Sequence, residues 1–359
     1  MINGWLNFYK PIGMSSAQAV TQIKRIFGIK KAGHLGTLDT LASGILPIAL
    51  GEATKTIPYL SCNLKAYNFT IKWGKQTTTD DLGGDIIRTS TIKPEYNQIN
   101  CVIKDFIGEI TQTPPQFSAV KIKGARAYKL ARSGQKVNIK PRQVKIHELK
   151  MIFLDTINNS ADFSMICGSG VYVRSIARDL GIALNCFGHI TQLRRTMVGD
   201  FKEDESVTIE QLTKKNTTTY SPMSSQCKAL GSRYTNTYKS CNGQKILGAY
   251  VKNNVRDAIS LIPVLDTGMT EGGGMAEDDG GNTKSFIIPI ESALKSMFKV
   301  EISLEEAEKI RKGQEIILNN LRGLKNYDIF CKIVGDVPIA ICSFTHGYVK
   351  PVRVFNILK

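Results

Sequence analysis

The stretch Gly33-His34-Leu35-Gly36-Thr37-Leu38-Asp39-Thr40-Leu41-Ala42-Ser43-Gly44 surrounds one carboxylate with small and hydroxylated residues. It is too rich in Gly, Thr and Ser for a plain helix or strand. Gly33, Gly36 and Gly44 permit backbone shapes that other residues resist. The apolar run Ile45-Leu46-Pro47-Ile48-Ala49-Leu50 follows at once and can bury the base of a loop. A carboxylate presented by a rigid loop is a candidate nucleophile or general base, which makes Asp39 the first residue to follow. A short fragment such as GHLG or LASG, taken alone, reads more simply as a surface turn with a solvated Asp.

The elements around this loop can be read from periodicity. Residues 5–8 suggest a strand that ends at Lys10-Pro11. Residues 16–27 suggest an amphipathic helix, with Val20, Ile23 and Phe27 at helical spacing, a serine cap and Gly28 at its end. Residues 67–73 alternate, so that Tyr67, Phe69, Ile71 and Trp73 share one face. A polar loop over 77–85 follows. Further helices are expected over 98–107, 174–184 and 303–312. Further strands are expected over 161–167, 327–334, 339–344 and 349–355. Mixed short strands and helices without a βαβ rhythm indicate an α+β class.

Composition narrows the partners. The chain has 359 residues, 42% hydrophobic, with a net charge of +16. That length suggests two domains, and that charge suggests a polyanionic partner, either nucleic acid or an anionic surface. Lysines and arginines interleave with apolar residues over 119–142, and Lys121 belongs to this stretch. The eight cysteines show no CxxC spacing and the four histidines are scattered, so no metal site is expected. The cysteines read as reduced core thiols. The opening residues do not read as a secretory leader, and no apolar run reaches the length of a membrane span. The expectation is a soluble, cytoplasmic protein.

Gly33 to Lys55, GHLGTLDTLASGILPIALGEATK, closely resembles the catalytic motif of the TruB family of tRNA pseudouridine synthases. The resemblance is strong over about residues 5–212 and moderate over 286–356. It implies a pseudouridine synthase catalytic domain with a mixed or antiparallel sheet and flanking helices, followed by a small β-rich PUA-like module. It implies isomerisation of uridine 55 in the T-loop of tRNA, with Asp39 as nucleophile and no cofactor. By position, Tyr67 would pack on the target base and help move a proton. Arg174, inside Tyr172-Val173-Arg174, would grip Asp39 through a planar guanidinium.

The resemblance also implies a set of RNA contacts. His34 would help keep the target nucleotide out of the RNA stack. Asp81 matches an aspartate near the site. Lys10 lies in a KPxGxSS segment near the cleft and becomes a candidate RNA contact. Tyr172 belongs to the third motif. Leu193, in Leu193-Arg194-Arg195, would line the pocket while the arginines meet phosphate. Lys121 would sit in an element that clasps the T-loop and T-stem. Arg178 and Asp179 read as an ordinary solvated or locally ion-paired set.

The expected organisation is a catalytic domain over 1–215 completed by 285–297, a flexible low-complexity insertion over 216–284, and the PUA-like module over 298–359. A monomer is expected. Thr40 departs from the family, which commonly has proline there, and the insertion is longer than usual. Two alternatives stand beside this reading: a non-catalytic protein that binds tRNA and assists its folding, and a dyskerin-like synthase that needs guide RNA and partner proteins.

Overall fold

The computed structural model describes residues 2–60, 64–122, 124–135, 138–214, 286–295, 297–318, 327–333 and 337–357. The insertion expected over 216–284 lies outside them.

A ten-stranded mixed sheet organises the first 214 residues and takes one short strand from later in the chain. Its main path runs Ile287–Ile288, Gly4–Lys10, Ser43–Leu50, Gly188–Val198, Lys65–Trp73, Ser160–Cys167, Arg142–Asp155, Gly108–Gln112. Among the described residues, every strand-to-strand pairing in this sheet is antiparallel except one. Arg194 and Arg195 lie parallel to Ser43 and Gly44. That parallel pairing is where the candidate catalytic loop re-enters the sheet.

The strand Lys65–Trp73 shows why the residues settle this way. Tyr67, Phe69, Ile71 and Trp73 are buried in alternation, as the sequence pattern requires. Phe69 stacks on Phe163 of the neighbouring strand with ring centroids 5.4 Å apart, and Trp73 meets the same ring edge-on. The helices Ser16–Ile26, Tyr96–Ile103 and Val173–Ala183 bring Ala19, Ile23, Ile99, Ile103, Ile176 and Leu180 into the same core. The first helix starts at a capping box. The Ser15 hydroxyl accepts from the Gln18 N–H, and the Gln18 side chain accepts from the Ser15 N–H.

The C-terminal β-rich domain is a five-stranded sheet, in the order Phe298–Ile302, Tyr327–Ile333, Val337–Thr345, Tyr348–Val354, Ile316–Ile317, with the helix Leu304–Arg311 against it. Ile329 and Cys331 point into its own core. Phe330, between them, turns the other way and packs with Ile341 and Phe355 into a cluster shared with Trp5, Ile45, Ala49 and Phe201 of the large sheet. The two sheets therefore have separate cores and a third core where they meet.

Candidate active site

The loop that carries Asp39 is held from two sides. The Ser16 hydroxyl donates to the Leu38 carbonyl and accepts from the Leu38 N–H, both at 2.9 Å. The Gly13 N–H donates to the Thr40 carbonyl at 2.8 Å, and the Ala42 N–H to the Asp39 carbonyl at 3.1 Å. The segment Lys10–Ser16 thus clamps the turn from one side. On the other, Gly44 passes so close to its neighbour that a Cβ there would stand 2.1 Å from the Arg195 carbonyl oxygen. With φ at 103°, only glycine fits Gly44 without moving the backbone.

Arg174 reaches the loop from the first turn of its helix. Its Nε lies 2.8 Å from Asp39 Oδ2, although the N–H is not aimed along that contact, so the interaction is an ion pair rather than an aligned hydrogen bond. Its Nη1 lies 3.3 Å from Asp81 Oδ2 and donates to the Thr79 carbonyl, while Nη2 donates to the Phe117 carbonyl. Asp81 is itself fixed by the Thr79 hydroxyl at 2.6 Å and the Gly83 N–H at 2.9 Å. One buried cation therefore faces two carboxylates. Asp81 bonds to the arginine and its own turn, which makes it a support for Arg174 more directly than a contact for a base.

One helical turn further on, Arg178 donates to Asp179 at 2.8 Å, to Asp80 at 3.2 Å and to the Thr113 carbonyl at 2.8 Å. The pair expected from sequence is thus a triad with a buried member, Asp80. Burial pushes the Asp80 carboxyl up to about 6 against the pull of Arg178.

Beneath Asp39 the chemistry is different. Lys10 is fully buried, and its ammonium donates to the carbonyls of Pro11, Met14 and Ala42 at 2.8, 2.7 and 2.5 Å. This corrects the expectation of an RNA contact: the three N–H groups are already taken and no surface remains. Burial pulls the Lys10 ammonium down to about 8, opposed by the charge of Asp39. Arg195 is also buried, not a phosphate contact. It donates to the carbonyls of Ile45, Thr37 and Gly36 at 2.8, 3.3 and 3.0 Å. Arg194, its neighbour, points outward and pairs with Glu203 at 3.7 Å. The alternation of a strand, with Leu193 and Arg195 on one face, is the signal that separates the two arginines.

The remaining expected residues fall as follows. Tyr67 is buried opposite Arg195, and burial pushes its phenol up to about 12 despite the nearby guanidinium. Leu193 is buried in the same core as Tyr67 and Leu38. His34 ends the strand Ala32–His34, its Nδ1 buried without a partner. Burial first, and then Arg195, hold its ring below the ordinary histidine value, so it is neutral at pH 7. Tyr172 caps the helix of Arg174. Its backbone is clasped by Gln112 on both sides, and its ring lies under the Arg142 guanidinium at 4.9 Å. Lys121 is exposed on a separate small hairpin formed by Lys121–Ile122 and Ala125–Arg126. Asp39, Tyr67, Arg174, Lys10, Asp81, His34 and Leu193 thus converge, whereas Lys121 does not join them.

Comparison with known proteins identifies the family. Residues 24–173 match the family model described as TruB family pseudouridylate synthase, N-terminal domain, and 174–226 match the tRNA pseudouridylate synthase B C-terminal domain. A protein of Wolbachia pipientis subsp. Culex pipiens named tRNA pseudouridine synthase B is 92% identical over the whole of both chains. One of the same name from Ehrlichia canis is 42% identical over 99% of this chain and 98% of its own. Among solved structures, a chain of a Cbf5-Nop10-Gar1 complex superposes with a TM-score of 0.62 at 22% identity, covering 98% of this chain and 84% of that one, a likeness that speaks for the fold alone. With an Asp-bearing loop braced by a buried arginine, and with matches of this length, the chain belongs to the TruB family of pseudouridylate synthases, which are isomerases.

Proposed function

We propose that this enzyme converts uridine 55 in the T-loop of tRNA to pseudouridine, with Asp39 as the nucleophile. The observation that carries the reading is the 2.8 Å pair between Asp39 and Arg174 at the head of a loop braced on both sides. A carboxylate held there is oriented by a guanidinium that is itself immobile. In the net reaction the bond from ribose C1′ to uracil N1 breaks and a bond from C1′ to C5 forms. The C5 hydrogen leaves as a proton and N1 gains one. No oxidant or reductant is needed.

The other residues divide the work of binding. Tyr67 and Leu193 form the apolar floor for the extruded base. Neutral His34 has the shape and polarity to fill the space that the base vacates. Lys121 and the basic hairpin around it meet phosphate, which makes affinity salt-dependent. The C-terminal domain acts as a PUA-like RNA-binding module. The curated relatives carry tRNA in their names, and this supports tRNA as the substrate. The working form is a cytoplasmic monomer that needs no guide RNA.

The test is tritium release from tRNA transcript labelled at uracil C5, with the purified chain alone. Wild type should release label from the normal transcript and not from one carrying cytidine at position 55. Asp39→Asn should lower kcat by about 10⁴ or more while RNA affinity stays within about three-fold. Release that survives in Asp39→Asn would remove Asp39 as nucleophile. Binding of bare tRNA without release by wild type would favour a binding or guided role.

A further inference from the structure

Tyr67 and Arg195 are directly opposed in the antiparallel register of their strands, so their side chains rise from the same face side by side. Both are buried. Arg195 donates one N–H from each of its three nitrogens to the carbonyls of Ile45, Thr37 and Gly36. A guanidinium has five N–H donors and no acceptor, so two remain. Among the described residues no carboxylate lies within 4 Å of it. The group beside it that can accept is the Tyr67 phenol, directly opposite in register, whose ionisation feels the guanidinium charge.

A phenol oxygen has two in-plane hydrogen-bonding positions, one for its own hydrogen and one for an incoming donor. We infer that Arg195 is a positioning residue that fixes the polarity of Tyr67: its guanidinium takes the acceptor side of the phenol oxygen, so Tyr67 turns its O–H toward the reacting uracil.

The inference rests on the uridine isomerisation proposed above. Uracil leaving C1′ carries negative charge on its ring and carbonyl oxygens, and a donor already aimed there stabilises that charge. A role for Tyr67 as acceptor of the C5 proton would need phenolate. With the phenol near 12, phenolate is about one part in 10⁵ at pH 7. Arg195 also ties phenol and nucleophile into one unit, since two of its bonds go to Gly36 and Thr37 in the loop of Asp39.

The experiment replaces Tyr67 in the full-length chain by fluorinated tyrosines of progressively lower pKa and follows single-turnover rate on tRNA against pH. A donor loses function as its phenol ionises, so the rate should fall at least about ten-fold as pH rises through each substituted value. A rate that rises with ionisation, or does not respond, overturns the inference. In parallel, Arg195→Lys should lower kcat about 100-fold in wild type but less than about three-fold when Tyr67→Phe is already present. Additive losses would show Arg195 to be structural only. The fluorine resonance of the same side chain needs no turnover. Its pKa should rise by about one unit in Arg195→Lys, and an unmoved value counts against the contact. Absence of wild-type turnover would instead sink the proposed reaction, leaving the resonance to decide the polarity.

Discussion

The two sides of the Asp39 loop handle positive charge in opposite ways. Above the loop, Arg174 is shared between two carboxylates, Asp39 and Asp81, and the Asp39 side chain remains about one third exposed. Below it, Lys10 and Arg195 are buried on backbone carbonyls, three each, and neither bonds to a carboxylate. A cation paired with a carboxylate controls the reactive group itself. A cation pinned among carbonyls controls the path of the backbone. Arginine thus serves reactivity on one side and, together with lysine, shape on the other.

If that contrast is correct, substitutions of Arg174 and Lys10 should fail in different measurements, Arg195 being the lower cation that also stands against Tyr67. The largest effect belongs above. Arg174→Met should cut kcat by about 10³, because the nucleophile loses its orienting partner. A loss confined to KM would mean that Arg174 only helps binding. Lys10→Met, below, should act mainly on stability. It strands three buried carbonyls and is expected to cost about 3 kcal/mol in denaturant unfolding, offset in part by removal of a buried charge. A stable Lys10→Met with an Arg174-like loss of kcat would erase the distinction.

The smallest effect sharpens the edge of the upper side. The folded-state value of Asp80 is raised from 3.8 to about 6, so the folded protein binds its proton more tightly than the unfolded chain. Wild type therefore loses stability from Asp80 as pH rises from about 4 through 6, and keeps it below that range. Asp80→Asn does not titrate. Its stability relative to wild type should improve by roughly 2 kcal/mol between pH 4 and pH 7, read from melting curves at each pH. A flat difference would mean that Arg178 compensates fully for the burial.

What could be read from sequence followed the regularity of each element. The strand of Tyr67 keeps strict alternation and was legible, as were the helices that start at Ser16 and Leu304, where serine caps mark the boundary. The strands Arg142–Asp155 and Gly188–Val198 did not declare themselves. The first carries register shifts between Ile146 and Glu148 and between Met151 and Phe153, and the second between Ile190 and Gln192 and between Arg195 and Met197. Each shift flips the inward face and scrambles a period-two pattern. Arg195 was missed because its strand was not recognised, although Leu193, Arg194 and Arg195 lie in regular register between the two shifts. Lys10 was misread for a different reason: lysine beside proline near a cleft looks like a phosphate contact until three carbonyls are seen to converge on it. Their convergence comes from the chain crossing between Pro11, Met14 and Ala42, which no local pattern announces.

The short strand Ile287–Ile288 has a consequence for how the enzyme is made. It covers the outer edge of the first strand by pairing with Trp5 and Leu6. During synthesis, those two residues leave the ribosome long before their cover. Until the cover emerges, the nascent sheet offers an open edge to any extended chain that passes. Ribosome-bound products that stop before residue 286 should therefore associate with one another more readily than those long enough to release Ile287 and Ile288 from the ribosome.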